Sequence, residues 1–266
     1  MIQTTFRRLA SRTDGLAMLL LAGFMGWLAT AGNYWMYLNP KFKPVTLTAA
    51  LVLAVLGGYA AIRPVTRPNL GRSLCYLVLL AMAGLAEGGF QALSANIDSD
   101  PFDVAATLPT PEKAPTPARL TQNGKDYIPI NTGELHDIAA KGPSPSFDRP
   151  FAVRGFVHRS PELDAAGQFV LYRLAVWCCF ADGTAVGLRV AFPPDQAPPD
   201  DKAWVTAYGT LRPIPEAARK DVAIPGISFS SVAPAALLAA DTVETKELNP
   251  EEAYMFEWRQ EEPYAF

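Results

Sequence analysis

The chain has 266 residues, half of them hydrophobic, with a mean hydropathy of +0.10 and a formal net charge of −3. Holding a nucleic-acid backbone takes a basic surface, so this balance excludes nucleic acid as the partner. Three cysteines in a chain of this length exclude a disulfide-dense scaffold.

The apolar residues are concentrated in the first third. Residues 16–38, 45–62 and 74–93 form three apolar runs, each close to the ~20 residues that cross ~30 Å of hydrocarbon as a helix. Residues 1–95 therefore read as a membrane anchor of three transmembrane helices. Arg7, Arg8 and Arg12 precede the first run, and Arg63, Arg67 and Arg72 separate the second from the third, while the first loop carries only Lys41 and Lys43. The positive-inside bias then puts the N-terminus in the cytoplasm and everything after three crossings outside it. The first run continues through Trp35, Met36 and Leu38, past the small residues Ala29-Thr30-Ala31, with Trp27, Tyr34, Trp35 and Tyr37 as an aromatic belt. That continuity predicts an uncleaved anchor rather than a signal peptide. Within the third run, Gly84 and Gly88 have the spacing that lets membrane helices approach closely, and Glu87 lies between them. The bland readings, a chance pair of glycines and a glutamate reaching the interface, stand beside a packing face for a membrane partner.

Residues 96–150 read as a connector. Its 108–118 segment (LPTPEKAPTPA) is proline-rich and poor in large apolar side chains, which predicts an extended spacer. Near its end, 127–130 predicts a short edge strand. Asn131 or Thr132 then caps a short helix through Ala140, with Glu134 in the first turn. From 151 to 248 the pattern is short strands: 151–158, 169–177, 185–192, 204–211, 227–232 and 241–247, separated by glycine and proline turns. A small all-β domain follows, a closed barrel or a sandwich, and its size best matches an OB-like barrel of five strands. Residues 249–266 form an acidic-aromatic tail whose Tyr254, Phe256, Trp258 and Tyr264 predict docking onto this domain or onto a partner.

The chemistry centres on Cys178 and Cys179, with Asp182 three residues on. Three readings stand: small hydrophobes with a structural role, a vicinal disulfide in an oxidising compartment, or ligands for a soft or borderline metal ion such as zinc or copper(I). Consecutive strand residues point to opposite faces, so both sulfurs converge only where the strand breaks, and the Ala181-Asp182-Gly183 turn provides such a break. His158 is a further nitrogen ligand if the strands bring it near. Arg173 either stabilises a thiolate or, more simply, pairs with Asp182 or Asp164 at the surface. Trp177 and Trp204 read as core or interface aromatics. No phosphate loop, zinc-protease helix or serine elbow is present, which predicts a chain that is not an enzyme.

Several segments in order resemble a known family. Residues 37–42 (YLNPKF), 153–159 (VRGFVHR), 172–183 (YRLAVWCCFADG), Trp204-Val205 with Gly209, and the final Glu262-Pro263-Tyr264 are similar to the bacterial YcgQ-like family. That family is usually described as the small subunit of a two-part permease, and the Cys-Cys-x-Ala-Asp segment is the specific part. The resemblance implies a polytopic permease partner in the bacterial inner membrane, with no established substrate. The expectation is a membrane-anchored auxiliary subunit whose extracytoplasmic β domain presents or gates a solute, a metal ion among the candidates. A thiol-redox protein of the envelope and a non-catalytic scaffold are the alternatives.

Overall fold

The structure, a computed structural model, describes residues 12–30, 34–63, 71, 75–76, 78, 81, 118–179, 182–225, 227 and 229–266. The chain divides into two units, Met1–Asp100 and Pro101–Phe266, each taken here by itself.

In the first unit, α1 spans Thr13–Thr30 and α2 spans Lys43–Ile62. At 1.5 Å per residue they are about 27 and 30 Å long. With the short 3₁₀ turn Pro40–Phe42 that leads into α2, both are long and apolar enough to cross a membrane. Gly15 lies against Gly57 and Ala61: a Cβ on Gly15 would sit 2.6 Å from the Ala61 nitrogen, and one on Gly57 would sit 2.9 Å from the Gly15 oxygen. The start of α1 therefore touches the end of α2, so the pair is an antiparallel hairpin held by backbone-to-backbone contact. At its closed end the Tyr34 hydroxyl and Thr46 Oγ1 share a buried 2.8 Å hydrogen bond. The outward faces leave Leu20, Leu51, Val55 and Ile62 uncovered.

One expectation changes here. The first apolar run is not one helix to Leu38. It ends at Thr30, whose hydroxyl folds back onto the Gly26 and Trp27 carbonyls, and Tyr34–Met36 is a separate 3₁₀ turn with Tyr34 and Trp35 buried. The third run is described only at residues 75, 76, 78 and 81, which are helical. Most of it, including Gly84, Glu87 and Gly88, lies outside the described residues, as does the proline-rich spacer up to residue 117.

The second unit contains β1 (Leu120–Gln122), β2 (Lys125–Ile130), α3 (Thr132–Ala140), β3 (Pro150–His158), α4 (Pro161–Ala165), β4 (Gln168–Ala175), β5 (Thr184–Ala191), β6 (Trp204–Pro213), β7 (Ser230–Thr245) and β8 (Tyr254–Met255). They form one sheet in the order β1-β2-β3-β6-β7-β5-β4-β8, with β3 also pairing β4. The expected closed five-stranded barrel is corrected accordingly. The sheet has eight strands because β1, β2 and β8 add at its margins, and β3 meets β4 over only Phe156–His158 against Val170–Tyr172. The two strands expected at 227–232 and 241–247 are one long strand, β7. Its first half runs parallel to β5 and its second antiparallel to β6, with a register shift against each. Bulges bend a strand and raise its twist, which lets one strand serve both neighbours. Pro234, which has no N–H to give, sits where the β5–β7 ladder is interrupted.

Alternation fills the inner face: Phe151, Val153 and Val157 of β3, Phe169 and Leu171 of β4, Leu188 and Val190 of β5, Val205 and Ala207 of β6, Leu238 of β7. Asn131 caps α3 by accepting the Glu134 N–H at 2.8 Å, and Leu135 and Ala139 of that helix complete the core. The opposite face is covered too. Phe156 packs edge-on to Trp204 at 4.9 Å between centroids, Arg154 bonds Glu252 at 3.2 Å, and the Arg154 guanidinium lies 4.0 Å from the Phe266 ring. The segment after β7 thus wraps the domain as a strap.

Candidate dithiol site

The thiol pair sits just past the end of β4, where the ladder with β5 stops at Ala175 and Thr184. Val176 is still tied to the sheet, its N–H donating to the Met255 carbonyl at 3.1 Å. From Trp177 the chain leaves the sheet and is gathered by one side chain. Asp182 Oδ1 accepts the Trp177 N–H at 3.0 Å, and Oδ2 accepts those of Cys178 at 2.8 Å and Cys179 at 3.4 Å. A carboxylate receiving three successive backbone N–H groups fixes the turn as a side-chain cap fixes a helix start. Burial alone would push the Asp182 carboxyl up; the hydrogen bonds from Cys178, Trp177 and Cys179 outweigh it and hold the group below the usual carboxylate range.

Both cysteines are free, Cys178 exposed and Cys179 half-buried, with their sulfurs 3.6 Å apart. One ligand atom from each of Cys178, Cys179 and Asp182 lies within 4.8 Å of the others. The strand break expected from the turn is therefore realised, and the two sulfurs converge. The Cys178 thiol is pushed up to about 11, first by its hydrogen bond to Asp182 and then by that to Cys179. An anionic neighbour disfavours a thiolate, so this sulfur is a poor nucleophile near neutrality. A bound cation would reverse the effect, because coordination deprotonates a thiol outright.

The other sequence candidates fall elsewhere. His158 faces Asp201, Nδ1 to Oδ1 3.8 Å, rather than the thiols. The surface pairing expected for Arg173 is corrected. Its guanidinium is buried, donates to the Tyr254 carbonyl at 3.2 Å and lies 5.8 Å from the Trp204 ring, and burial pulls it down to about 10. Asp164 instead pairs with Arg159 at 2.9 Å. Trp204 is buried as expected, whereas Trp177 is 58% exposed beside Cys178.

Two residues of the site region, named in the sequence only as a docking aromatic of the tail and as a first-turn carboxylate, have more specific partners in the structure. Trp258 stacks on Trp177, centroids 5.8 Å apart and planes 19° from parallel, and its indole N–H donates to Asp137 Oδ2 at 2.7 Å. Glu134, read only as a helix-dipole carboxylate, is almost fully buried and accepts the N–H groups of Arg259 and Ala265. The tail's aromatic content was the one signal pointing to such docking.

Comparison with known proteins finds one family model that matches part of the chain, including this stretch. Residues 138–237 match the model of the DUF1980 C-terminal domain. The DUF1980 match covers less than half of the chain and is to an uncharacterised family. It runs from the end of α3 into β7 and contains Cys178, Cys179 and Asp182, the most specific segment of the resemblance noted above. No curated protein matches the chain.

Proposed function

We propose that the chain is a membrane-anchored auxiliary subunit whose β domain binds a soft or borderline divalent ion, zinc being the reference case, through Cys178 and Cys179. The observation that carries this is the sulfur separation. Two thiolates at ~2.3 Å from a tetrahedral zinc stand roughly 3.8 Å apart, and the two sulfurs are already 3.6 Å apart on a braced loop. Asp182 either adds an oxygen or keeps its present task of orienting the loop, as the outer partners of metal ligands do. Two or three ligands on an open surface suit an ion that is received and passed on, rather than one locked in a closed structural site.

The hairpin of α1 and α2 supports the anchor, and a third crossing by 74–93 would put the domain on the face opposite the N-terminus. A polytopic permease in the same membrane is the proposed receiver, with Gly84, Glu87 and Gly88 as its packing face. The pairing of β3 with both β4 and β6, together with parallel β5–β7, supports an OB-like reading of the central five strands.

The test is zinc binding by the full chain in mild detergent, followed by competition with a chromophoric chelator. One ion per dithiol is expected, lost in the Cys178→Ser/Cys179→Ser double variant. Equal binding by that variant rejects the site, and failure of a permease to co-purify with the wild-type chain rejects the partnership.

A further inference from the structure

We infer that the C-terminal strap sets the conformation of the dithiol loop through the Trp258–Trp177 stack, so that seating of the strap on α3 is linked to ion affinity at Cys178 and Cys179. The affinity part rests on the metal reading above; the conformational part does not.

The linkage can be followed atom by atom. Trp258 is seated from below on the start of α3: a Cβ on Gly133 would lie 2.5 Å from two carbons of its six-membered ring, so only glycine leaves room. Its indole N–H is fixed by Asp137 on the next turn of the same helix. It also packs against Ala175, Val186 and Met255, at the sheet end from which the loop departs. Its neighbours in the strap are anchored independently. The Glu257 carbonyl accepts from Asn131 Nδ2 at 3.1 Å, and the Arg259 and Ala265 N–H groups reach Glu134. The ring is thus a fixed platform, and Trp177 lies on it with its other face in solvent.

Trp177 is the residue before Cys178, and its N–H is the first of the three gathered by Asp182. Removing the platform frees the Trp177 side chain and loosens the turn that brings the sulfurs together. Trp258 is therefore a positioning residue that acts through Trp177. Linkage is reciprocal: an ion that favours the braced loop also favours the seated strap.

The experiment uses the full chain in detergent with zinc as the probe. An aromatic pair of this kind contributes about 0.5–1.5 kcal/mol, so Trp258→Ala is expected to weaken zinc binding by about twofold to tenfold. Gly133→Ala displaces the Trp258 ring while leaving the strap's own sequence unchanged, and alanine has the higher helix propensity; the same loss is expected. Trp258→Phe keeps a stacked ring and should restore most of the affinity. In the metal-free chain, maleimide labelling of Cys178 and Cys179 should accelerate in Trp258→Ala and Gly133→Ala, and zinc should slow proteolysis after residue 255 in the wild type. Should Trp258→Ala fail to fold, Gly133→Ala carries the test. Wild-type zinc affinity and labelling rates retained in both variants would overturn the inference. Faster labelling in both variants, with no zinc binding by the wild type, would instead overturn the metal reading and keep the strap coupling.

Discussion

Glu134 Oε1 accepts the Arg259 N–H at 2.6 Å while both of its carboxylate oxygens lie within hydrogen-bonding reach of the Ala265 N–H, at 3.2 and 3.0 Å. One buried side chain in the first turn of α3 thereby holds the last eight residues of the chain. Truncating it leaves two part-buried N–H groups without an acceptor, each costing about 1–3 kcal/mol. Glu134→Ala is expected to lower the thermal midpoint and to make the segment after Met255 the first site of limited proteolysis. An unchanged cleavage pattern would count against the anchor.

The same carboxylate makes stability depend on pH. Burial pushes the Glu134 carboxyl up, and the N–H groups of Arg259, Ala265 and Asn131 only partly reverse this, so its folded pKa lies above the usual glutamate value. Between those two values the folded chain binds more protons than the unfolded one, so stability falls as pH rises through that window and its contribution is level above it. Glu134→Gln cannot titrate. The difference in unfolding free energy between wild type and Glu134→Gln should therefore change across the mildly acidic range in that sense; a constant difference rejects the assignment.

Asp182 is predicted to control thiol reactivity in the metal-free protein. Its hydrogen bond and charge hold the Cys178 thiol up at about 11. Asp182→Asn removes the charge and keeps one acceptor oxygen for the turn. Alkylation of Cys178 at pH 8 should accelerate by roughly tenfold, a figure set at one pKa unit because the exposed site is screened by solvent. A slower or unchanged rate would show that the carboxylate does not govern the thiol.

Packing gives two further checks. Leu135 is fully buried where α3 meets the sheet interior, so Leu135→Ala should cost about 2–5 kcal/mol in denaturant unfolding of the full chain.

In the anchor, Gly57→Leu would force a side chain into space now filled by the backbone of Gly15 and Leu19. The forced separation is expected to lower the thermal midpoint of the full chain in mild detergent. An unchanged midpoint would mean that the hairpin tolerates the separation.

Much of this was legible in residue order. Period-two alternation in Phe151, Val153 and Val157 marks β3 because a strand exposes one face to the core at every second residue. Asn131 before Glu134 marks the start of α3 because the orphan N–H groups of a helix need a nearby acceptor. Less legible was the merging of two predicted strands into β7. Bulges depend on which neighbours a strand meets, and the neighbours of β7, β5 and β6, lie 39 and 17 residues or more upstream, counted from Ala191 and Pro213 to Ser230. The fate of Arg173 was hidden for the same reason: its partner is a carbonyl of Tyr254, 81 residues away.

The sequence by itself determined two apolar helices long enough for a bilayer, a strand-rich second unit, and two adjacent thiols followed by a turn. These are local properties, set by hydropathy, alternation and the conformational preferences of a few residues. Only the tertiary structure decided that the thiols converge at 3.6 Å, that Asp182 serves the backbone beneath them, and that Trp258 lies under Trp177. The first two contacts depend on how the loop is folded where it leaves the sheet, while the stack joins residues 81 apart along the chain, which meet only because the folded sheet brings their segments to one place.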